Sequence, residues 1–566
     1  MKTRLYFLVC LLSFGFIAVV GKLAYIMLIN HQWYTEKAKL QQVKIEEMPV
    51  KRGMILDRRG RELAVNLDVE SIYCNPAEIL DAGNVAETLS NVTGKKNDII
   101  LTKLNSNSRF CWVDRKVPHQ SAEIVRNLKI KGIGLVPEVK RVYPKGTIAS
   151  HIIGFVDIDN KGIDGIEQKY DKYLTATSEK IVAYRDAKGN VLFKGDLKEI
   201  KGNNVFLTID EGLQHILENN LDEAVKHWKA SYATAIMMDP FTGEIMAMAN
   251  SPSFDLNNLS AAKPYQRKNR AITDCYEPGS TFKIIVGAAA LEEGLVKPNA
   301  QYDCSAGYIE VGGRRIKDVH KHGVLTFQEV IQKSSNVGTI KIGISLGRER
   351  LYDYAKRFGF GEKTGIDIIG EVSGLVRHPD NWSGMSIGSI SIGQEVAATP
   401  LQVLRAYSVI ANGGLLVKPY LVSEIKTPDG SLVYKAGTEA KRIISEKTAN
   451  KLNLILTTVT EVGGTAKEAS IDGNLVAGKT GTAQKIDPLT KRYSKVNYVS
   501  SFVGFVPADK PRLALIVVVH DPRGHIYGGI VAAPVFRKIA NDALSYLEVP
   551  RDDSIDKGLL VTSTSR

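Results

Sequence analysis

The pattern of apolar and polar positions along the 566-residue chain begins with a long uncharged segment. Residues 5–21 carry no charged side chain, and apolar residues resume after Lys22 and continue to Ile29. A run of this length barely spans a bilayer, but the Lys22 amine can reach the headgroups and allow a longer helix. No small-residue cleavage site follows, so the pattern predicts an uncleaved membrane anchor over residues 5–29. Lys2 and Arg4 place residues 1–4 on the cytoplasmic side.

Residues 30–200 read as a region of mixed helix and strand beyond the anchor. A polar, helix-compatible stalk covers residues 31–44, and residues 66–140 alternate strand-like and helix-like pieces. The segment Arg52–Ala64 predicts two short strands around a tight turn. The apolar run Ala149–Phe155 predicts a buried strand after a turn. The acidic segment after it does not fit a calcium loop, because a lysine stands where an oxygen ligand is needed.

The pattern from residue 205 to residue 547 alternates strands and helices in an α+β manner. Asp210 is placed to cap an amphipathic helix, and two apolar strands around a turn are predicted between Tyr232 and Asn250. A linker is predicted at Lys198–Asn204. The last residues, 548–566, lack periodicity and are predicted to be disordered.

Composition adds little that is specific. The chain is 44% hydrophobic and 24% charged, as globular proteins are, and its length predicts two or three domains. Its net charge of +13 would suit an anionic membrane or wall surface, but it is interpreted as a solvated surface with spare lysines. No basic stripe or motif points to nucleic acid. Of five cysteines, Cys10 lies in the apolar run. The other four are Cys74, Cys111, Cys275 and Cys304. Their spacing does not indicate how they would pair, so both two disulfides and unpaired thiols remain open.

The first candidate for chemistry is the segment Glu277–Lys283. A Pro-Gly turn delivers the chain to Ser280, and the apolar run that follows predicts a buried helix ending near Gly294. Ser280 then lies at a helix N-terminus, where free N–H groups favour developing negative charge. Lys283 lies one turn further on the same face. A buried, neutral lysine can take the proton of a serine nucleophile.

Two further elements follow in order. Ser334 and Asn336 lie in a loop between two predicted helices, where a hydroxyl and an amide can face one cavity. The run Lys479-Thr480-Gly481-Thr482 closes a predicted strand at Asn474–Gly478 and offers a cationic, hydroxyl-rich edge suited to a carboxylate. A second Lys-Thr-Gly at residues 363–365 is interpreted as a turn. The ordered trio Ser-x-x-Lys, Ser-x-Asn and Lys-Thr-Gly is typical of penicillin-binding proteins and class A β-lactamases.

With these motifs, the chain resembles a class B penicillin-binding protein, a monofunctional peptidoglycan transpeptidase, over nearly all of its length beyond the anchor. Arg52–Ala64 resembles the family's first pedestal motif, and Arg141–Leu174 resembles a second pedestal block. Asn269–Asp274, Gly393–Gln394 and Thr399–Gln402 also fit. The second block is more similar to the division-specific, septal subclass than to the elongation subclass.

The resemblance implies an α+β fold with a single N-terminal transmembrane helix. An elongated, mixed α/β pedestal of the dimerisation type would occupy residues 30–200. A penicillin-binding transpeptidase domain, with an antiparallel sheet flanked by helices as in serine β-lactamases, would occupy residues 205–547. The chain would be a single-pass protein of the bacterial cytoplasmic membrane, with its catalytic domain in the periplasm or outside the cell.

The resemblance also implies the role of each site residue. Ser280 would attack the penultimate D-Ala carbonyl of a stem peptide, with Lys283 as the base. Ser334 would relay a proton to the leaving amine, and Asn336 would hold the substrate amide. Lys479 would keep Lys283 neutral and attract the terminal carboxylate.

The strand residues Thr480, Gly481 and Thr482 would bind substrate. The two threonine hydroxyls would meet the carboxylate, and the N–H groups of Ser280 and Thr482 would form the oxyanion hole. β-Lactams would acylate the same serine. The resemblance implies no metal and no organic cofactor, and His320 and His322 are interpreted as residues of a polar loop.

Several alternatives stay open. A D,D-carboxypeptidase or an elongation-class transpeptidase shares every catalytic residue, and a catalytically idle scaffold of a division or spore-wall complex keeps the fold. A β-lactamase is disfavoured, because no Glu-x-x-Leu-Asn motif follows Ser280. Implied partners are D-Ala-D-Ala stem peptides, β-lactams, a SEDS-type glycosyltransferase and other divisome membrane proteins, without nucleic acid.

Overall fold

The computed structural model describes residues 2–47, 50–176, 180–185, 191–193, 201–487, 489–490 and 492–551. The chain divides into two compact units. The first unit comprises Met1–Arg52, Asp68–Val139 and Thr175–Gly202, and the second comprises Gly53–Leu67, Lys140–Leu174 and Asn203–Arg566. The predicted disordered tail lies outside the described residues from residue 552 onward, and so do residues 198–200 of the predicted linker.

The first unit begins with the apolar helix. It runs from Lys2 to Ala24 and continues as a π-turn over Tyr25–Ile29, with a mean hydropathy of 2.3 in its most apolar window. None of its residues is buried against the rest of the protein. A helix of 28 residues rises about 42 Å, more than the ~30 Å of a bilayer core. It is therefore long and apolar enough to cross a membrane.

Elsewhere, the first unit contains helices, strands and one small hydrophobic core. Helices His31–Gln42, Ala82–Thr93, Asn97–Leu104 and His119–Leu128 are joined with strands Val43–Glu47, Cys111–Val117, Lys180–Arg185 and Val191–Phe193. Strands Glu62–Cys74 and Ile133–Val142 contribute residues to both units. The core consists of Ile72, Cys74, Ala86, Leu89, Ile100, Leu104, Val113, Val117, Ala122 and Val125.

The second unit is built on a five-stranded antiparallel sheet. Its strands, in spatial order, are Ile245–Ser251, Tyr232–Met238, Leu513–His520, Tyr493–Val506 and Ala477–Ile486. Every residue of the central strand Leu513–His520 is buried, because helices cover both faces of the sheet. Alternate residues of this strand belong to different cores, as the period of two requires.

Helices Glu211–Trp228 and Ala533–Tyr546 pack on one face of this sheet, and Lys283–Glu292 and Pro400–Ala411 pack on the other. The remaining helices of the unit are Ser150–Ile153, Gly165–Lys169, Asp171–Leu174, Arg270–Thr273, Phe327–Gln332, Asn336–Leu346, Arg348–Arg357, Ser386–Ser391, Glu446–Thr457 and Gly528–Val531. Its other strands are Ile55–Leu56, Asn204–Leu207, Gln301–Asp303, Tyr308–Val311, Arg314–Lys317, Val324–Thr326, Leu375–Val376, Val396–Ala397, Leu415–Val417, Val422–Lys426, Leu432–Lys435 and Ala440–Arg442. The sheet flanked by helices confirms the α+β fold class.

Two elements differ from the sequence prediction. The predicted strand Ala149–Phe155 is wrong, since Ser150–Ile153 is a short buried helix that starts after a left-handed Ala149 with φ 54°. A short apolar run does not distinguish a buried helix from a strand. The Lys-Thr-Gly run does not close a strand at Gly478 either: the strand begins at Ala477 and runs through the motif to Ile486.

A buried ion pair joins two of the motif blocks within the second unit. The Arg141 Nε donates to Glu167 Oε1 at 2.6 Å, and the two side chains are 1% and 0% exposed. Arg141 Nη1 also donates to the Gly53 carbonyl at 2.8 Å. The segments that begin at Arg52 and Arg141 are far apart in sequence but meet here around one buried guanidinium.

Candidate active site

Ser280 lies in a tight turn that leads into the central helix of the second unit. Residues Gly279–Phe282 form one 3₁₀ turn, and the α-helix Lys283–Glu292 follows directly. Ser280 is half-buried, whereas Thr281, Phe282 and the first nine helical residues are buried. Among the residues that the structure describes, the Ser280 hydroxyl has no hydrogen-bond partner. The hydroxyl therefore lies at a helix N-terminus without a hydrogen bond, and the Lys283 amine bonds to Ser334 and Asn336 instead of to it.

The Lys283 amine forms the centre of the site. The side chain is 0% exposed, and its Nζ donates to the Ser334 carbonyl at 2.7 Å, to Asn336 Oδ1 at 2.8 Å and to Ser334 Oγ at 3.2 Å. Ser334 has a left-handed backbone with φ 57°, which turns both its carbonyl and its hydroxyl toward this amine. The structure thus brings together the first and second predicted elements around one nitrogen.

Asp318 holds the Ser334–Asn336 loop in place, and the sequence analysis missed it. Its carboxylate accepts hydrogen bonds from Ser335 Oγ at 2.8 Å, from the Val337 N–H at 3.0 Å and from the Asn336 N–H. Ser335 in turn caps the helix Asn336–Leu346 by accepting from the Gly338 N–H at 3.0 Å. A single aspartate after a short strand carries no sequence pattern that could have marked it.

Burial sets the protonation of the two lysines. It lowers the pKa of Lys283 from 10.5 to about 7, against the Asp318 carboxylate, which favours the charged form. A large share of Lys283 is therefore neutral near pH 7 and able to accept a proton. Burial also lowers the pKa of Lys479 well below its usual value, and the charge of Lys283 lowers it further. Two buried ammonium groups are too costly to coexist here.

The third element, the Lys-Thr-Gly-Thr run, lies on the edge strand Ala477–Ile486 of the five-stranded sheet. Lys479 is 0% exposed, and its Nζ lies 3.3 Å from Thr480 Oγ1, which in turn lies 3.2 Å from Thr465 Oγ1. Thr482 Oγ1 accepts from the Gly528 N–H at 3.1 Å, which leaves its own proton available to a ligand. The Lys479 amine and the Thr480 hydroxyl thus belong to one connected polar group, whereas the Thr482 hydroxyl contacts the Gly528 backbone.

Gly481 allows the strand to pass close to the Ser280 turn. A Cβ at this position would lie 2.3 Å from Ser501 Oγ, 3.0 Å from Thr281 Cγ2 and 3.2 Å from the Pro278 carbonyl. Real side chains do not tolerate such contacts without displacement. Within the described residues, the strand Ala477–Ile486 pairs on one side only, so its other edge is open to an extended backbone.

Glu277 fixes the entry to the turn and was not singled out from the sequence. Its Oε1 accepts from the Glu395 N–H at 2.9 Å and from the Tyr493 hydroxyl at 3.1 Å. Gly279 follows with φ 55° and donates its N–H to the Gly393 carbonyl at 3.0 Å. A cavity of about 460 Å³ flanks this region and is lined in part by Glu277, Ala483 and Gln484.

The second Lys-Thr-Gly run, at residues 363–365, has a structural role. The Thr364 N–H and hydroxyl both donate to Glu371 Oε1, so the second Lys-Thr-Gly run forms a turn anchored by a buried carboxylate. Over the residues that the structure describes, no group of three or more His, Cys, Asp or Glu side chains is arranged to hold a metal ion.

Comparison with protein-family models gives two matches. Residues 233–541 match the penicillin-binding protein transpeptidase domain, and residues 47–207 match the penicillin-binding protein dimerisation domain. Together these matches cover most of the chain, including the Ser280, Ser334 and Lys479 elements.

Individual proteins agree with these matches. The chain is similar to peptidoglycan D,D-transpeptidase FtsI of Escherichia coli, with 34% identity over 96% of this chain and 91% of that protein. It is also 34% identical to stage V sporulation protein D of Bacillus subtilis, over 98% of this chain and 88% of that one. Among solved structures, penicillin-binding protein 3 of Mycobacterium tuberculosis in complex with ampicillin superposes with a TM-score of 0.71. That match has 28% identity and covers 90% of this chain and 97% of the other. The chain belongs to the class B penicillin-binding proteins, with a dimerisation and a transpeptidase domain.

Proposed function

We propose that this protein is a serine-type peptidoglycan D,D-transpeptidase that cross-links stem peptides ending in D-Ala-D-Ala. The observation that carries the proposal is the Lys283 amine. It is buried, partly neutral near pH 7, placed one helical turn after Ser280 and hydrogen-bonded to Ser334 and Asn336. Family membership and the similarity to FtsI of Escherichia coli support the same activity.

Acylation uses the first two elements. Lys283 takes the proton from Ser280 as its oxygen attacks the carbonyl carbon of the penultimate D-Ala. The backbone N–H groups of Ser280 and Thr482 stabilise the resulting oxyanion. The Lys283 ammonium then passes the proton through the Ser334 hydroxyl to the nitrogen of the leaving D-Ala, and the C–N bond breaks. Asn336 supports this step by holding the substrate amide. An amine of a second stem peptide then attacks the ester carbonyl and gives a proton to the neutral Lys283. The C–O bond to Ser280 breaks, and Lys283 returns the proton to the Ser280 oxygen.

The Lys479 strand binds the donor peptide. The substrate's terminal carboxylate meets the Thr480 and Thr482 hydroxyls, and its charge favours the ammonium form of Lys479. Gly481 lets the peptide backbone approach the open strand edge. Burying the charged form of Lys479 costs free energy, and the carboxylate of a bound ligand offsets that cost. Binding of the carboxylate is therefore coupled to protonation of Lys479.

β-Lactams form the same acyl-enzyme in this proposal. The similarity to an ampicillin-complexed penicillin-binding protein 3 supports it. The test is incubation with a fluorescent penicillin, with Ser280→Ala as the inactive variant and the exposed Ser305→Ala as the matched control. We expect stable label on Ser280 in the wild type and in Ser305→Ala, and none in Ser280→Ala. A folded wild type that takes no label would contradict the proposal and favour the scaffold.

A second assay separates transpeptidase from carboxypeptidase. A donor peptide ending in D-Ala-D-Ala is supplied with an acceptor peptide that carries a free amine, and the products are resolved by mass spectrometry. Cross-linked product is expected to exceed the hydrolysed donor. Hydrolysis alone, with release of D-Ala, would identify a carboxypeptidase.

The cellular setting belongs to the same proposal. Residues 5–29 anchor the protein in the cytoplasmic membrane with its N-terminus inside, and the catalytic domain lies outside that membrane. The similarity to FtsI supports a septal role during division. In this role the protein would work with a SEDS-type glycosyltransferase and other membrane proteins of the division complex. A fluorescent fusion in the host is expected at the division site, and uniform wall labelling would favour an elongation role.

A further inference from the structure

Cys74 and Cys111 stand directly opposite each other in the first unit. Cys74 ends the strand Glu62–Cys74, Cys111 begins the strand Cys111–Val117, and the two residues are partners in the antiparallel register. Side chains of such partners point to the same face of a sheet, with Cβ atoms about 4.5–5.5 Å apart. The Cα spacing of antiparallel partners falls within the range that a disulfide can bridge. Both cysteines are free thiols in the structure.

The two thiols differ in access. Cys74 is 0% exposed and belongs to the core of the first unit, beside Leu89 and Leu104. Cys111 is half-buried, and its Sγ lies 3.3 Å from Ser106 Oγ at the rim of that core. An oxidant can therefore reach Cys111 first. The Cys74 sulphur is protected behind it.

We propose that Cys74 and Cys111 form an intramolecular disulfide once the first unit meets a thiol oxidant of the disulfide class. The Cys111 thiolate attacks one sulphur of the oxidant's disulfide and releases one oxidant thiol. The Cys74 thiolate then attacks the Cys111 sulphur of this mixed disulfide and releases the second oxidant thiol. The two cysteines lose two protons and two electrons, and the oxidant's disulfide becomes two thiols.

Burial controls the rate of the second step. It raises the pKa of Cys74 to about 11, so little thiolate is present at neutral pH. The disulfide is therefore expected to close slowly and, once formed, to resist reduction because its inner sulphur is shielded.

The position of the pair gives the disulfide a structural consequence. The chain leaves the ladder at Cys74, forms the helices Ala82–Thr93 and Asn97–Leu104, and returns at Cys111. A disulfide between Cys74 and Cys111 closes the chain between them into a loop and reduces the conformational freedom of that loop in the unfolded state. In cells, the first unit meets a thiol oxidant only if it lies outside the cytoplasmic membrane, as proposed above. Formation of the bond depends on the facing positions of the two cysteines and on the access of their thiols, and not on the cellular placement of the unit.

The experiment uses the full chain purified in detergent. The reduced protein is incubated with oxidised glutathione, its remaining thiols are alkylated, and the peptides are mapped by mass spectrometry without reduction. We expect a linked pair of peptides containing Cys74 and Cys111, two hydrogens lighter than the separate peptides, with Cys275 and Cys304 alkylated. The same linked pair is expected in acid-quenched host cells that make the full chain. Amide exchange in Cys111–Val117 should slow upon oxidation.

The variants separate this inference from the proposed enzyme activity. Cys111→Ser removes the accessible thiol without opening the core and should abolish the link, whereas Cys275→Ser should leave it unchanged. Free thiols or only glutathione adducts at Cys74 and Cys111 in the purified, oxidised sample would overturn the proposal. A link in the purified sample with free thiols in cells would support the disulfide and contradict the proposed placement of this unit. Penicillin labelling of Ser280 is measured in parallel. Its loss without loss of the link would refute the proposed function alone.

Discussion

Replacing Asp318 by asparagine tests how the protein sets the basicity of Lys283. The Asp318 carboxylate accepts hydrogen bonds from the Ser335 hydroxyl and the Val337 N–H, and its charge favours the ammonium form of Lys283. Asparagine has nearly the same size but no charge. The substitution therefore removes the main opposition to the effect of burial on the Lys283 pKa.

The sign and the size of the effect follow from the titration of Lys283. With a pKa of about 7, roughly one-tenth of Lys283 is neutral at pH 6 and roughly half at pH 7. Removing a nearby negative charge lowers this pKa, and an interaction of about 1.4 kcal/mol corresponds to one unit. A close opposite charge typically moves a pKa by about 1–3 units. At the lower end of this range, the acidic limb of the acylation rate would move about one pH unit lower and the neutral fraction at pH 6 would rise about five-fold.

The same substitution weakens the loop. Hydrogen bonds to a charged group contribute about 1.5–3 kcal/mol, and asparagine can replace only part of them. We therefore expect a lower maximal rate together with the shifted limb. The two effects are separable, because loss of loop order lowers the rate at every pH whereas the Lys283 pKa moves the limb.

The assay is the second-order rate constant for acylation by a fluorescent penicillin between pH 5 and pH 9. Asp353→Asn, on an exposed helix position, controls for the loss of one negative surface charge. The reasoning is refuted if the limb of Asp318→Asn stays at the wild-type pH or moves upward, whatever happens to the maximal rate.

Three further substitutions test the site and the fold. Gly481→Ala places a Cβ 2.3 Å from Ser501 Oγ, so penicillin acylation should slow at least about ten-fold, and adding Ser501→Gly should restore part of it; an unchanged rate contradicts the close approach. Glu167→Gln leaves the buried Arg141 charge uncompensated, which should cost about 3–5 kcal/mol and lower the thermal unfolding midpoint; a wild-type midpoint would show that the pair is not buried in solution. Ser335→Ala removes a helix cap worth about 1–2 kcal/mol, so the thermal unfolding midpoint should fall less than for Glu167→Gln. The reverse order would contradict both the cap at Ser335 and the buried ion pair of Glu167.

Local sequence patterns were sufficient to predict features that depend on one helix or turn alone. The uncharged run at the N-terminus predicted the apolar helix, and the Pro-Gly turn before an apolar run predicted Ser280 at a helix start. Asp210 caps its helix as predicted, by accepting from the Gly212 N–H at 2.9 Å. Local patterns were insufficient at Ala149–Phe155, where tertiary packing selects a helix from an ambiguous apolar run.

What the sequence by itself determined is the identity and order of the reactive groups: a serine, a lysine one turn later, a Ser-x-Asn loop and a Lys-Thr-Gly-Thr strand. These depend on helical spacing, turn chemistry and strand pattern, which are local. Only the tertiary structure decided that Lys283 meets Ser334 and Asn336 and that Asp318 supports their loop. It also set the low pKa of Lys283, because desolvation depends on everything packed around a side chain and not on its neighbours in the chain.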